Sequence, residues 1–230
     1  MSATGTGQPD GSVAERGAPR RRVLLVDDHP IVLKGLRRLI ENEADLEVCA
    51  EAEGVREARA AIRRHQPDLA VVDISLKDGD GLELVKDLRA QYPALPVLVL
   101  SMHDESVYAE RMLAAGANGY IMKQAASEQF MEALRKVLAG GIYVSDTIEA
   151  RLARGTVRGE VPASQDPIGQ LSNRELQILR MIGRGLSTRQ VADTLNLSIK
   201  TIEAHRQRIK HKLGLKTGAQ LVNFAVSWSE

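Results

Sequence analysis

The strongest constraint on the fold is a regular alternation, between residues 22 and 139, of short apolar runs with segments whose apolar residues recur at helical spacing. The strong runs are RVLLVD (22–27), DLAVVDI (68–74) and PVLVLS (96–101), and weaker ones lie at 46–51 and 118–123. Short continuous apolar runs are typical of strands buried on both faces, and the helices between them provide the crossovers that parallel strands require. The pattern predicts a doubly wound α/β domain with a five-stranded parallel sheet.

Five helices are predicted between and after these strands. They span residues 31–41, 55–65, 81–91, 105–115 and 127–139. Gly116 and the pair Gly140-Gly141 follow the last two helices, at the position where a glycine commonly ends a helix. Ser127 is predicted as the N-cap of the last helix, because a serine side chain accepts a hydrogen bond from a free amide of the first turn.

Composition sets the expected domain boundaries. Residues 1–21 are rich in Gly, Ser, Thr, Ala and Pro without periodicity, and we predict a flexible tail. The stretch 155–169 is rich in Gly, Pro and polar residues, which is typical of a linker, and a short helix is expected within 142–153. The predicted division is a tail (1–21), an α/β domain (22–142), a linker (143–169) and a second domain (170–230).

The second domain is predicted to be small and all α-helical. Capping-box spacing, a Ser followed three residues later by Glu or Gln, starts helices at Ser172 and Ser187. Only residues 195–197 separate the second helix from the third, which is basic and begins after Ser198, and a fourth helix is predicted over 216–228. Two short helices joined by so tight a turn are typical of a helix-turn-helix motif.

Charge separates the two domains. The chain carries 31 Lys and Arg against 30 Asp and Glu, but residues 170–230 hold ten basic and four acidic residues, a net of +6, which leaves −5 on the rest. A basic helical domain is suited to a polyanion such as double-stranded DNA. Aromatic residues make up only 3% of the chain, which argues against a reader of single strands that works by base stacking.

Composition also limits the cellular compartment. The sequence has no run of 18 apolar residues and no apolar stretch near its start, so we expect neither a membrane span nor a secretory signal. Its single cysteine, Cys49, excludes an internal disulfide. These features fit the reducing cytoplasm, and we expect the chain to act there and away from membranes.

Polar residues stand where the predicted strands end. Asp27 and Asp28 end the first strand, Asp73 the third, Ser101 the fourth, and Lys123 the fifth. In an open parallel sheet the carboxyl ends of the strands form one functional edge. Carboxylates suit Mg²⁺, and a metal beside a carboxylate with a hydroxyl and an ammonium group is suited to phosphoryl transfer onto that carboxylate. Acids that only cap helices are the alternative, but five polar groups on successive strand ends favour a site.

The third helix of the second domain has two distinct faces. At about 100° per residue, Ile202, Ile209 and Leu213 fall on one face and form a core stripe. The opposite face carries Lys200, Glu203, Ala204, Gln207, Arg208 and His211. Such side chains can read base edges in the major groove, where the small Ala204 permits close approach. His205 and Arg206 at the edges of this face, and Arg189 on the preceding helix, are expected to contact the DNA backbone. A solvated amphipathic helix is the alternative, but the tight turn and the local charge favour DNA.

Several spaced motifs together resemble a known family. VDDHP (26–30), VVDISLKDGDGLEL (71–84), LSMHDE (100–105) and GANGYIMK (116–123) resemble the receiver domain of two-component response regulators. With LSNRELQILRMIGRGLSTRQVADTLNLSIKTIEAHRQRIKHKLGL added, residues 22–228 resemble the NarL/FixJ class, which carries a LuxR-type helix-turn-helix. The resemblance implies a flavodoxin-like receiver fold followed by a DNA-binding domain.

The resemblance also implies a role for each matching residue of the first domain. Asp73 is similar to the phosphoacceptor, which takes a phosphoryl group from a phosphohistidine on a sensor histidine kinase. Asp28 is similar to the acid that binds Mg²⁺ directly, Asp27 to a neighbour that acts partly through water, and the backbone carbonyl of Ser75 would be a further ligand. Lys123 would contact the acyl phosphate.

The resemblance further implies that the side chains of Ser101 and Tyr120 move when Asp73 is phosphorylated. Ser101 would move toward a phosphoryl oxygen and Tyr120 would rotate inward, although a core aromatic without that role is an equal alternative for Tyr120. The sequence departs from the family pattern at Lys77 and at Gln124, where Pro is frequent. Because cis peptides are rare without Pro, the departure at Gln124 puts a cis bond after Lys123 in doubt.

The predicted function is a DNA-binding response regulator that is not an enzyme and in which phosphoryl transfer to Asp73 controls DNA binding and transcription. The resemblance places base contacts near Glu203, Ala204 and Gln207. Because helix-turn-helix proteins commonly bind two DNA half-sites as a dimer, we expect a homodimer when the chain is phosphorylated or bound to DNA. A constitutive DNA-binding protein with an unused pocket is one alternative. A Mg²⁺-dependent phosphatase or transferase that uses an aspartyl phosphate is another.

Overall fold

The α/β part of the chain is built on one sheet in which all five strands are parallel. The computed structural model describes residues 19–158 and 167–229. Its strands are β1 (Arg21–Val26), β2 (Leu46–Ala52), β3 (Leu69–Asp73), β4 (Val97–Ser101) and β5 (Gly119–Met122). They lie in the order β2-β1-β3-β4-β5, so the direction of winding reverses between β1 and β3. The predicted doubly wound parallel sheet is confirmed.

Helices cover both faces of the sheet and lie within one residue of their predicted bounds. They are α1 (Pro30–Glu41), α2 (Val55–His65), α3 (Gly81–Gln91), α4 (Glu105–Ala114) and α5 (Ser127–Leu138). The predicted N-cap of α5 is wrong, because Ser127 is already helical and the extended Ala126 precedes it. Gln129 accepts a hydrogen bond from the Ala126 amide at 3.2 Å, so a side chain at the third helical position supports this end.

Alternate residues along each strand pack on opposite faces of the sheet. In β1, Val23 and Leu25 belong to the core under α1 and α5, whereas Leu24 and Val26 belong to the core under α2, α3 and α4. Because both faces of the central strands β3 and β4 are buried, their sequences are apolar up to the last residue, whereas the edge strand β2 carries Glu47 and Glu51. The core under α2, α3 and α4 continues into the C-terminal helices.

The segment after α5 is packed against the α/β domain. Tyr143 extends the free edge of β5, since its carbonyl accepts from the Tyr120 amide at 2.9 Å. Helix α6 (Asp146–Arg158) follows and buries Ile148 completely, and Ser145 donates to Glu105 at the start of α4 at 2.6 Å. The first half of the predicted linker is therefore ordered, and residues 159–166 lie outside the described part, as do residues 1–18 of the predicted tail.

The C-terminal domain is helical, as predicted. A short 3₁₀ helix lies at Pro167–Gln170, and the helices are α7 (Asn173–Gly183), α8 (Thr188–Thr194), α9 (Ile199–Lys212) and α10 (Gly218–Ser229). Both predicted capping boxes are present, between Ser172 and Glu175 and between Ser187 and Gln190. Asn196 takes a left-handed backbone conformation (φ 51°) between α8 and α9, which forms the tight turn of the helix-turn-helix.

Glu175 joins the start of α7 to the end of α9. It is 2% exposed, and its Oε2 accepts from the Ser172 amide at 2.8 Å and from Lys212 Nζ at 2.7 Å. Burial alone raises the pKa of Glu175, but the hydrogen bonds from Lys212 and Ser172 outweigh it and hold that pKa below its ordinary value. The carboxylate therefore stabilises the domain in its ionised form.

We expect Lys212→Met to destabilise the C-terminal domain by about 1–3 kcal/mol at neutral pH, because it leaves a buried carboxylate without its charged partner. Since the folded pKa of Glu175 lies below the unfolded one, its contribution is present above the unfolded pKa and is lost as the pH falls through the folded pKa. The deficit of the variant should therefore shrink in acid. Urea unfolding followed by the fluorescence of Trp228, the only tryptophan of the chain, measures it.

Lys216→Met is the matched control, because Lys216 is exposed just before α10 and the substitution removes the same charge. Equal stability losses in the two variants, or a Lys212→Met deficit that does not change with pH, would contradict the role given to Glu175.

Candidate functional site

Three carboxylates meet at the carboxyl edge of the sheet. Asp27 and Asp28 directly follow β1, and Asp73 is the last residue of the neighbouring β3. One oxygen from each, together with a ring nitrogen of His29, lie within 4.8 Å of one another. The three acids are between 2% and 5% exposed. The edge at which the winding reverses is where open α/β sheets bind ligands, and the predicted convergence of these residues is seen.

Lys123 neutralises part of this charge. Its Nζ lies 2.6 Å from Asp27 Oδ2 and 2.8 Å from Asp73 Oδ2, and its side chain is 7% exposed. Burial lowers the pKa of Lys123, but Asp73 and Asp27 outweigh burial and raise it, so the ammonium stays charged. For Asp73, burial raises the pKa above its ordinary value even though Lys123 opposes the shift.

Two basic side chains beside Asp28, those of His29 and Lys77, were not predicted from the sequence. His29 Nδ1 lies 2.7 Å from Asp28 Oδ1 and 3.0 Å from Asp27 Oδ1. Lys77, where the family pattern has Pro, donates to the Asp28 carbonyl at 3.1 Å and lies 3.6 Å from its carboxylate. The position of His29 directly after two strand-end acids was the available signal, whereas the reach of Lys77 across 49 residues was not visible in the sequence.

The acidic cluster fits a hard divalent cation. Asp27 Oδ2 and Asp28 Oδ1 are buried acceptors whose nearest charged or basic neighbours are Lys123 Nζ at 2.6 Å and His29 Nδ1 at 2.7 Å, respectively. Ser75 follows in the adjoining loop, and its amide donates to Asp73 Oδ1 at 3.1 Å. Carboxylate and carbonyl oxygens that accept but do not donate are the ligands that Mg²⁺ prefers.

The predicted responding residues, Ser101 and Tyr120, lie on β4 and β5. Ser101 is fully buried, and its Oγ accepts from the His103 amide at 2.9 Å. Tyr120 is 1% exposed and donates to the His103 carbonyl at 2.8 Å, so the ring occupies the inward position in this structure. The peptide between Lys123 and Gln124 is trans, as are the other peptides of the described residues.

His103 was overlooked in the sequence and lies between this pocket and the C-terminal domain. Burial, followed by the charges of Arg180, Arg174 and Lys123, lowers the pKa of His103 to about 4, so its ring is neutral at neutral pH. Arg174 and Arg180 both belong to α7, which shows that the C-terminal domain brings positive charge close to the acidic edge. Nothing in the spacing of His103 indicated this position.

The two domains contact each other through specific polar pairs. Asp80, the N-cap of α3, accepts from both the amide and the side chain of Asn173, each at 2.9 Å. Arg111 donates to the carbonyl of Leu171. Arg180 pairs with Asp104 at 3.7 Å. Side chains of α3 and α4 therefore hold the start and middle of α7.

The outer face of α9 is accessible although both domains are present. The exposed residues are Lys200, Glu203, Ala204, Gln207, Arg208 and His211, and Arg189 is exposed in the first turn of α8. His205 instead turns partly inward: burial lowers its pKa, and its Nδ1 is buried without a hydrogen-bond partner. Glu203 and Gln207 border a depression that also includes Thr188 and Arg206. Five of the predicted DNA-contacting residues thus lie on the exposed face of α9, and a sixth, Arg189, lies on the neighbouring helix α8. His205 is turned partly inward.

Comparison with known families agrees with this architecture. Residues 23–135 match the model of the response regulator receiver domain, and residues 169–225 match that of the bacterial regulatory proteins of the luxR family. The chain belongs to the response regulators that join a receiver domain to a LuxR-type DNA-binding domain. Its function is accordingly that of a phosphorylation-controlled, DNA-binding regulator of transcription.

Individual relatives cover nearly the whole chain. The oxygen regulatory protein NreC of Staphylococcus epidermidis is 35% identical over 210 residues, 89% of this chain and 96% of NreC. RcsB of Salmonella enterica serovar Typhimurium, bound to promoter rprA in the presence of the phosphomimetic BeF3−, is 26% identical with a TM-score of 0.56, over 90% of this chain and 98% of that one. A structure of two RcsB dimers bound to two parallel DNAs is 26% identical with a TM-score of 0.55, and the match covers 91% of this chain and 98% of that one.

None of the helices within residues 19–158 and 167–229 combines the length and the apolar character that a membrane span requires.

We expect Lys123→Met to raise the pKa of Asp73 further above its ordinary value in the metal-free protein, because the substitution removes the cation that favours the ionised carboxylate. A pH titration of the Asp73 carboxyl carbon resonance by NMR measures the shift. Lys86→Met, which removes an exposed lysine on α3, is the control and should leave that titration unchanged. An Asp73 pKa that is the same in both variants would show that Lys123 is not its electrostatic partner.

Proposed function

We propose that Asp73 accepts a phosphoryl group from the phosphohistidine of a sensor histidine kinase, and that this modification controls DNA binding by the outer face of α9. The observation that carries the proposal is the contact of Lys123 with both Asp27 and Asp73 in a buried acidic cluster. The same chain holds α9, the second helix of the helix-turn-helix and its recognition helix, with an exposed outer face. Acids that only capped helices would not need a shared buried ammonium group.

The transfer is a displacement at phosphorus. A carboxylate oxygen of Asp73 forms the new P–O bond while the P–N bond to the kinase imidazole breaks, and the imidazole leaves with its electron pair and takes up a proton. Lys123 neutralises charge on the equatorial oxygens. Asp27, Asp28, Asp73 and the carbonyl of Ser75 would hold Mg²⁺, which when bound would supply positive charge where three carboxylates otherwise repel the incoming group.

The modified Asp73 carries a dianion that its neighbours can bind. Ser101 ends the adjoining strand β4 and directly follows the residue paired with Asp73. Lys123 follows β5, one strand further along the sheet, and its Nζ reaches Asp73 Oδ2 at 2.8 Å. New charge-assisted hydrogen bonds to these groups are strong enough to rearrange the adjoining loops. Tyr120 is already buried, so its ring would secure the rearranged loop from inside the domain.

Control of DNA binding acts through the arrangement of the two domains, because the receiver leaves the outer face of α9 exposed. We infer that phosphorylation loosens the contacts of α7 with α3 and α4 and allows two copies to pair on a double-stranded site. The pairing of RcsB dimers on DNA supports a homodimer here. On α10, Val222 and Val226 are 39% and 40% exposed and offer one surface for it.

We further propose that the chain acts in the cytoplasm and is a regulator and not an enzyme of metabolism. The pocket is joined to a DNA-binding domain, so hydrolysis of the phosphate on Asp73 resets the regulator and is not an end in itself. One half-buried cysteine and the ordinary composition of the chain fit a reducing compartment.

Asp73→Asn should abolish labelling by a small phosphodonor such as phosphoramidate in the presence of Mg²⁺, because an amide cannot form the acyl phosphate. Labelling should also raise the affinity of the wild type for DNA, by about 5- to 150-fold for a coupling of typical size, and this increase should be absent in the variant. The probe is a duplex selected by the labelled wild type from a random pool, and binding is measured by fluorescence anisotropy.

Asp87→Asn is the control for Asp73→Asn, since Asp87 lies on α3 and pairs with Arg59 at the surface. Label on both variants, or identical DNA affinity of the wild type with and without label, would refute phosphorylation control by Asp73.

Gln207→Ala should weaken binding to the selected duplex by about 1–3 kcal/mol and relax base preference at one position, because it removes a direct contact to a base edge. Arg189→Ala should weaken binding to all sequences alike, because it removes a phosphate contact. It should also reduce by about one the slope of the logarithm of the binding constant against the logarithm of the salt concentration. Lys34→Ala, an exposed position on α1 of the receiver, is the control. Unchanged affinity in both test variants would exclude this face as the DNA interface.

A further inference from the structure

The side chain of His103 bridges the loop after Asp73 and helix α4. Its Nε2 lies 2.8 Å from Ser75 Oγ, in the loop that follows β3. On its other side the ring stacks on Tyr108 of α4, with 4.8 Å between ring centroids and 24° between ring planes. One side chain therefore contacts both the surroundings of the proposed phosphoacceptor and the helix that faces the DNA-binding domain.

The far end of this bridge lies at the domain interface. Tyr108 is fully buried, and the residues around it on α4 hold α7: Asp104, the N-cap of α4, pairs with Arg180, and Arg111 donates to the carbonyl of Leu171. A shift of the Tyr108 ring is therefore felt by the contacts that fix α7 against the receiver, because a close-packed interior transmits displacement.

We propose that the side chain of His103 is a positioning residue that transmits the state of Asp73 to the interface between the domains, through its hydrogen bond to Ser75 and its stacking on Tyr108. The inference rests on the proposed role of Asp73 as the phosphoacceptor. It adds a path that depends on side chains at positions 75, 103 and 108 and is separate from Ser101 and Tyr120.

The chemistry gives this path a direction. The Ser75 amide already donates to Asp73 Oδ1, so a phosphoryl group on Asp73 brings charged oxygen acceptors close to Ser75. In the tautomer of His103 whose Nε2 accepts, the Ser75 hydroxyl donates to a neutral imidazole, and a hydrogen bond from the same hydroxyl to a charged acceptor is about twice as strong. Ser75 Oγ accordingly turns to the phosphoryl group, and the His103 ring loses the contact that sets its angle against Tyr108.

This path can be separated from the one through Tyr120. The groups of His103 that bond to the Ser101 and Tyr120 hydroxyls are its backbone amide and its backbone carbonyl, respectively. Both groups remain whatever side chain stands at position 103. A substitution of the His103 side chain consequently interrupts the link from Ser75 to Tyr108 and leaves both backbone contacts available.

The test uses the full chain and two substitutions that cut the bridge at different ends. His103→Phe keeps a ring against Tyr108 and removes the bond to Ser75, whereas His103→Gln keeps a polar end near Ser75 and removes the stacked ring. Beryllofluoride with Mg²⁺ is the probe of the modified state, and its uptake is followed by the ¹⁹F NMR signal of the bound form. The response is the ratio of affinities, with and without the probe, for the selected duplex.

We expect the wild type to respond by about 5- to 150-fold and both variants to bind the probe but respond less than about threefold. Met102→Ala, at an adjacent exposed residue, should respond like the wild type. A merely structural role would change the melting temperature or both affinities together, and would leave their ratio unaltered.

Three results would overturn the inference. Variants that bind the probe and respond like the wild type show that the His103 side chain transmits nothing, and they leave the proposed function intact. Variants that fail to bind the probe show that His103 shapes the pocket itself. A wild type that fails to bind the probe or to respond refutes the proposed role of Asp73, and the inference with it.

Discussion

The ammonium group of Lys123 is the interaction on which the functional edge of the receiver depends. It lies within 2.8 Å of both Asp27 and Asp73, and all three side chains are nearly inaccessible to water. Charges interact strongly in such surroundings, so the carboxylates would repel one another without this partner. The same cation is placed to receive the charge of a phosphoryl group, which gives one contact a part in both the stability and the chemistry of the pocket.

A second dependence links the pocket to the C-terminal domain. Asp80 caps α3 and also accepts two hydrogen bonds from Asn173, so the residue that starts a receiver helix holds the start of α7 as well. The receiver side of the chain is net acidic and the C-terminal side net basic, which favours this contact. The interface combines a shared apolar core with polar pairs such as Asp80 with Asn173. Because those polar pairs lie on the helices that follow the acidic edge, a new dianion at that edge is well placed to change them.

In helix α9, the face that would bind DNA is separate from the contacts through which the receiver would regulate it. Its outer face is exposed while Ile202 and Ile209 anchor the opposite face in the core. The receiver contacts α7 and leaves the DNA face free, so regulation concerns how the domains are arranged and paired. Polar contacts made by the starts of α3 and α4 and by Arg111 define that arrangement, and none of these contacts involves a base-reading side chain.

The sequence by itself determined the elements and the site residues that are carried by local patterns. Continuous apolar runs identified the buried strands, serine capping boxes identified the starts of α7 and α8, and strand-end acids identified the pocket, because each depends on neighbours within a few residues. The N-cap of α5 was mispredicted, since Gln129 supports the first turn in place of Ser127. Only the tertiary structure decided that Lys77 reaches Asp28, that His103 joins Ser75 to Tyr108, and that His205 turns inward. Those contacts join segments far apart in the chain or depend on how whole helices pack, and no spacing along the sequence encodes them.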